Sequence, residues 1–92
     1  MFREDKSAKV DYTLLQKEPL DRWAKRRQFG VDKYGSRDDW QNELKEQGPA
    51  RYLSSALRHL IQYIYGDRSE DHLGAVMTNI GFVIWHEDNA DD

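Results

Sequence analysis

Three stretches of the chain carry apolar residues at helical spacing, and the breaks between them divide it into elements. In the first, Leu20, Trp23, Ala24 and Val31 follow Pro19, with Arg27 on the same stripe. Proline suits a first helical turn, where its missing N–H costs nothing. Gly30 weakens this helix from within, and Gly35 is its expected stop. In the second stretch, Leu53, Ala56, Leu57, Leu60, Ile61 and Ile64 form an apolar stripe on a helix from Pro49 to Tyr65, ended by Gly66. A second stripe of Tyr52, Ser55, His59 and Gln62 adjoins it, polar but not simply charged. In the third, Leu73, Val76, Met77, Ile80, Val83 and Ile84 form the expected core face of a helix running to Glu87. Ser69 is its expected N-cap, and Glu70 and Asp71 suit the positive end of its dipole. Gly74, Thr78 and Gly81 make a narrow small-residue stripe, which calls for a neighbouring helix or a ligand close by.

Between these stretches, Gly35-Ser36-Arg37-Asp38-Asp39-Trp40 reads as a loop. A short helical turn through Glu43 and Glu46 follows, broken by Gln47-Gly48-Pro49. Val10-Asp11-Tyr12-Thr13-Leu14-Leu15 is either a helical turn or an extended arm. The ends, residues 1–10 and 88–92, are expected to be loose. The fold class that results is all-α: one domain over residues 1–92, built on an antiparallel helical hairpin, with the first helix and the arm packed across it.

Composition sharpens this picture in three ways. The chain has 92 residues, 38% hydrophobic and 34% charged, so its own core is thin and completion by homo-oligomerisation is expected. With no cysteine, disulfides and Cys-based zinc sites are excluded. No apolar run approaches the roughly 20 residues of a membrane helix. The N-terminal residues also lack the apolar core of a signal peptide, so the expected compartment is a cytoplasm. A net charge of −3 argues against bulk nucleic-acid binding, but not against one nucleotide, for which a few local Arg and Lys suffice.

The candidate chemistry lies where the hairpin helices meet. Antiparallel pairing brings Arg58 and His59 towards Glu70, Asp71 and His72, and Asn79 sits one heptad after His72 on nearly the same face. Two imidazoles and a carboxylate suit a divalent transition metal, whereas carboxylates alone suit magnesium carried in with a phosphate. The plain alternatives are a charged helix start for Glu70-Asp71-His72 and a hydrogen-bonded interior histidine for His59. A second constellation is Lys33-Tyr34-Gly35 with Trp40. Lys33 is placed to hold a phosphate, and Tyr34 or Trp40 either stacks on a base or anchors the core. Lys25-Arg26-Arg27 is either a solvated face or a phosphate-facing patch.

On these residues the chain resembles the small, largely phage-encoded family named for a dATP/dGTP diphosphohydrolase N-terminal domain. The resemblance runs from about Lys9 to Glu87. It is strongest in Arg51-Tyr52, Ala56-Leu57-Arg58-His59-Leu60, Gly66-Asp67-Arg68-Ser69-Glu70-Asp71-His72-Leu73 and Asn79. It is weaker in Gly30-Val31-Asp32-Lys33-Tyr34-Gly35, and Asp39 precedes Trp40 where the family tends to have Asn. The resemblance implies hydrolysis of purine deoxynucleoside triphosphates, dGTP among them, in a host cytoplasm. MazG-like all-α pyrophosphohydrolases hold magnesium with Glu-x-x-Glu and a later Glu-x-x-Asp. Glu43-Leu44-Lys45-Glu46 has the first spacing here, but no Glu-x-x-Asp follows it, so that carboxylate set does not carry over.

Three functions follow. The first is a diphosphohydrolase using Mg2+ or Mn2+, with His59, Glu70, Asp71 and His72 as catalytic groups and Glu70, Asp71 and His72 on the metal. Lys33, Tyr34, Trp40, Arg51, Tyr52, Arg58 and Asn79 would bind the nucleotide. The second is a non-catalytic protein that sequesters a nucleotide or a nucleotide-derived defence signal. The third is an oligomeric interaction protein whose polar stripe is a subunit interface.

Overall fold

A computed structural model describes residues 9–89 of the chain. The looseness expected of residues 1–8 and 90–92 lies outside that range. One 3-10 turn, Tyr12–Leu14, precedes four helices: α1 (Lys17–Tyr34), α2 (Asp39–Gln47), α3 (Ala50–Ile64) and α4 (His72–Asn89). No strand occurs among the described residues, so the all-α class holds. Residues 88 and 89, expected to be loose, continue α4.

The breaks fall where the turn chemistry requires them. Gly35 closes α1 in the left-handed region at φ +73, and its N–H donates to the Val31 carbonyl, a conformation a β-carbon would strain. Gly48, at φ +80, lets α2 turn directly into α3. The start of α4 differs from expectation. Ser69 does not cap it; the cap is Asp71, whose Oδ1 accepts from the Gly74 N–H at 3.0 Å. Ser69 instead belongs to the preceding turn, its N–H donating to Asp67 Oδ1 at 2.8 Å.

All three other helices pack on α4. The α3–α4 pair is antiparallel: Tyr52 meets Phe82, Ser55 meets Asn79 and His59 meets His72 in descending order. The small-residue stripe of α4 receives α1, with the Arg22 backbone and the Asp71 carboxylate against Gly74 and the Trp23 ring against Gly81. Close helix approach therefore accounts for both glycines. The Tyr12–Leu14 turn is exposed and does not pack across the hairpin as expected.

The face of α3, and part of that of α4, is oriented differently from the sequence reading. On α3 the buried residues are Ala56 and His59, while Leu53, Leu57, Leu60, Ile61 and Ile64 are exposed. On α4 they are His72, Gly74, Ala75 and Thr78, while Ile80 and Ile84 are exposed. The physical reason is pairing. The polar stripe of α3 finds polar or small partners on α4 that satisfy it. The apolar stripe of α3, with Ile80 and Ile84 of α4, then faces away from the chain's own interior, while Leu73, Val76, Met77 and Val83 of α4 are half-buried. Leu44, Ala56 and Ala75 are the buried apolar residues among those described, so the thin core is real.

Candidate functional site

A groove opens between α1, α2, α3 and α4. Its larger part encloses about 540 Å3 and is walled by Phe29, Tyr34, Trp40, Tyr52 and Phe82, with Ser55, Thr78 and Asn79 on its floor. A second part of about 450 Å3 is ringed by Arg26, Lys33, Arg51 and Arg58, with His59 and Glu70 beneath. Arg26, Lys33, Tyr34, Arg51, Ser55 and His59 belong to both parts, so the groove runs continuously from an aromatic end to a cationic end.

Each helix supplies its share by spacing. Arg26, Gly30 and Lys33 lie at i, i+4 and i+7 on one face of α1 and line the groove together. Within the basic run, Arg26 and Arg27 therefore face the groove, while Lys25 is exposed. Arg27 lies over the rings of Trp40 and Phe82, at 5.5 and 5.1 Å from their centroids. Trp40 stacks on Phe82 with centroids 4.2 Å apart, meets Trp85 edge-on, and donates its indole N–H to the Arg37 carbonyl at 3.1 Å. It is thus both a core anchor and a groove wall. Tyr34 is the more open ring, 71% exposed, with Lys33 Nζ 5.2 Å from its centroid.

The histidines form the floor at the cationic end. His59 Nδ1 and His72 Nδ1 lie 2.8 Å apart in the interior, so one ring must donate and the other accept. Burial pushes the His59 pKa down, against an opposing pull from Glu70, and keeps its imidazole neutral. His72 is 1% exposed. Its Nε2 lies 3.1 Å from Asp67 Oδ2, close enough for an ion pair but off the direction of a hydrogen bond. Asp67 is held near pKa 2, first by the Ser69 backbone N–H, then by the Ser69 side chain and by His72. One ligand atom each from His59, Glu70 and His72 falls within 4.8 Å of the others.

Asp71, Glu70 and Glu43 each pair with an arginine. Asp71 does not join the grouping of His59, Glu70 and His72: it pairs with Arg22, whose guanidinium holds its pKa below the usual range, and it caps α4. Glu70 accepts from Arg26 Nη1 at 3.1 Å. Glu43 pairs with Arg51 and accepts from the Tyr52 hydroxyl at 2.6 Å. Asn79 donates to Ser55 Oγ at 3.3 Å and to the Ala75 carbonyl at 3.0 Å, which fixes its amide at the groove floor. Arg58 leans on Ser55 Oγ at 3.4 Å and remains exposed.

The structure therefore brings Lys33, Tyr34, Trp40, Arg51, Tyr52, Arg58, Asn79, His59 and Glu70 to one groove, with His72 directly behind. Sequence reasoning left Lys25-Arg26-Arg27 open between a solvated face and a phosphate-facing patch and did not single out Arg26, although its i, i+4, i+7 relation to Gly30 and Lys33 was a usable signal. It also missed Asp67, which no spacing distinguishes from an ordinary turn aspartate. No helix among the described residues is long and apolar enough to cross a membrane. Comparison with curated proteins and with solved structures gives no match. A family model does match, across residues 2–92, and its description agrees with the resemblance carried by the hairpin residues. The chain belongs to the dATP/dGTP diphosphohydrolase N-terminal family.

Proposed function

We propose that the groove binds a purine nucleoside triphosphate and that the protein hydrolyses it to a monophosphate and pyrophosphate. The observation that carries this reading is the continuity of an aromatic pocket with a ring of four cations, Arg26, Lys33, Arg51 and Arg58. A base is matched by aromatic walls, and a polyphosphate by guanidinium and ammonium groups. Tyr34, Trp40 and Tyr52 flank the base, and Asn79 supplies a polar contact. Arg26, Lys33, Arg51 and Arg58 take the phosphates. His59, held neutral by burial at the junction, takes the proton from water. The water oxygen bonds to the α-phosphorus, the bond from that phosphorus to the α–β bridging oxygen breaks, and pyrophosphate leaves.

A magnesium cage of carboxylates does not fit the residues present. Glu43, Glu70 and Asp71 are each paired with an arginine, and Asp71 points away from the groove. Mg2+ or Mn2+ enters this reading as the counter-ion of the triphosphate, which lowers the charge that the arginines must neutralise. The thin core supports a homo-oligomer, and the cytoplasmic setting and phage origin in this reading follow from the resemblance alone.

The pairing of Glu43 and Glu70 with arginines also favours a second reading, in which the nucleotide is sequestered intact. One experiment separates the two. Purified protein is incubated with a panel of purine and pyrimidine nucleotides and Mg2+ or Mn2+, then products and protein-bound nucleotide are resolved by chromatography. Appearance of monophosphate and pyrophosphate supports hydrolysis, and intact nucleotide co-eluting with protein supports sequestration. Arg58→Ala should weaken binding about tenfold in either case, the scale of a charge-assisted contact. Nucleotides neither converted nor retained would sink both readings.

A further inference from the structure

We propose that His59, His72 and Glu70 form a site for one divalent first-row transition ion of the Co2+, Ni2+ or Zn2+ kind, with Asp67 as the positioning residue behind His72. The site goes beyond the nucleotide reading and does not require it; an ion on His59 Nδ1 leaves the ring's proton on Nε2, so His59 acts as the base only in the metal-free state. Two ring nitrogens bare of other partners converge on one point: His59 Nδ1 and His72 Nδ1 stand 2.8 Å apart. Two imidazole nitrogens about 2.1 Å from one ion are about 3.0 Å apart at a right angle and about 3.4 Å apart at a tetrahedral angle. To admit an ion the two nitrogens need to part by only a few tenths of an ångström, and both rings must turn so that their lone pairs meet off the line that the shared proton now occupies. One carboxylate oxygen of Glu70 falls within 4.8 Å of a ring nitrogen of each histidine, and the pair with Arg26 engages only Glu70 Oε1, which leaves Oε2 to a metal.

The surroundings of His72 point the same way. A histidine that ligates metal commonly presents its other ring nitrogen to a carboxylate, which fixes the tautomer and raises ligand basicity. His72 Nε2 faces Asp67 Oδ2 at 3.1 Å, and no other group takes up that buried nitrogen among the described residues. Asp67 is anchored in turn by the Ser69 N–H at 2.8 Å. The chain thus holds a carboxylate–imidazole pair aimed at a second imidazole and a further carboxylate. Two nitrogen donors and one oxygen select transition ions over Mg2+, which prefers an all-oxygen shell. The ion would reach the site from the groove, whose cationic end both His59 and Glu70 line. Water or a phosphate oxygen would complete its coordination.

The test uses metal-free protein with no nucleotide present, so its outcome is independent of hydrolysis. Titration calorimetry with Zn2+ and Mg2+, and visible absorption with Co2+, should give one transition ion per chain and no Mg2+ binding at the same concentrations. His59→Gln and His72→Gln should each weaken Zn2+ binding at least tenfold, and Asp67→Asn about 10–100-fold, whereas His86→Gln should leave it unchanged. Because His72→Gln removes an interior residue, the unaltered protein gives a second readout: nitrogen-15 shifts of the His59 and His72 ring nitrogens should move on adding Zn2+, and those of His86 should not. No transition-ion binding, or binding that tracks His86, overturns the proposal.

Discussion

At residue scale, Asp71 illustrates how a carboxylate that reads as chemistry serves architecture instead. It occupies the N-cap of α4 and receives Arg22 from α1, so it ties two helices together at their crossing. Asn retains most capping ability, so Asp71→Asn removes mainly the charge. Its cost should be at most about 1 kcal/mol, since the pair is partly exposed and screened. Asp71→Ala, which loses the cap as well, should cost about 1–2 kcal/mol. The pH dependence follows from the lowered Asp71 pKa. A depressed carboxylate stabilises the fold above its unfolded pKa and loses that contribution as pH falls through the folded value. Urea unfolding at neutral pH should therefore separate wild type from Asp71→Asn, and the gap should close on acidification below the ordinary aspartate range. A gap of constant size down to strong acid would show that charge is not the cause. Nucleotide binding should survive Asp71→Asn and fall with Arg58→Ala.

At the scale of elements, glycine placement gives a paired prediction. At Gly81 an added β-carbon would sit 2.8 Å from Trp23 Cζ2, inside contact distance of a rigid ring, whereas at Gly30 it would meet nothing within 4 Å. Gly81→Val should cost about 1–3 kcal/mol by overpacking. Gly30→Ala should instead stabilise α1 by about 0.4–1 kcal/mol through helix propensity and the unfolded chain. Thermal denaturation of the two variants should move in opposite directions, and a shared direction would remove the α1–α4 contact as the reason for Gly81. The boundaries of these helices were legible because Pro19, Gly35, Gly48-Pro49 and Gly66 are local signals that act through backbone geometry. The inward faces were not. Periodicity shows on which side of a helix the apolar residues lie, but not what covers that side. In α3 the covered side is Tyr52, Ser55 and His59. The site divides along the same line. The His59–His72 and Ser55–Asn79 pairs follow from antiparallel register, so their neighbourhood could be read from the hairpin. Arg26 reaches Glu70 across 44 residues of chain, and Arg22 reaches Asp71 across 49, contacts that depend on how α1 crosses α4.

At the scale of the whole molecule, the exposed apolar surface is what the single chain leaves unresolved. Leu53, Leu57, Leu60, Ile61 and Ile64 on α3 and Ile80 and Ile84 on α4 are all exposed, and none lines the groove. On a helical wheel these residues occupy the sides of α3 and α4 turned away from His59, Ala75 and Asn79, so they lie behind the groove rather than in it. A soluble monomer rarely leaves so many large aliphatic side chains together in water. Among the described residues the buried apolar set is Leu44, Ala56 and Ala75, a small core for so many helices. A second copy of the chain, presenting the same two stripes about a two-fold axis, would cover this surface and leave both grooves open. Light scattering at low micromolar concentration should therefore give a mass at least twice that of one chain. Leu57→Glu, at the centre of the α3 stripe and 58% exposed in the single chain, should shift the population towards monomer and lower the thermal midpoint, because it places an unpaired charge in the interface. The same substitution on an ordinary monomer surface should change stability by less than about 0.5 kcal/mol. A wild-type protein that is monomeric and thermally stable at these concentrations, or a Leu57→Glu variant with unchanged mass and midpoint, would show that the apolar face is not buried by self-association.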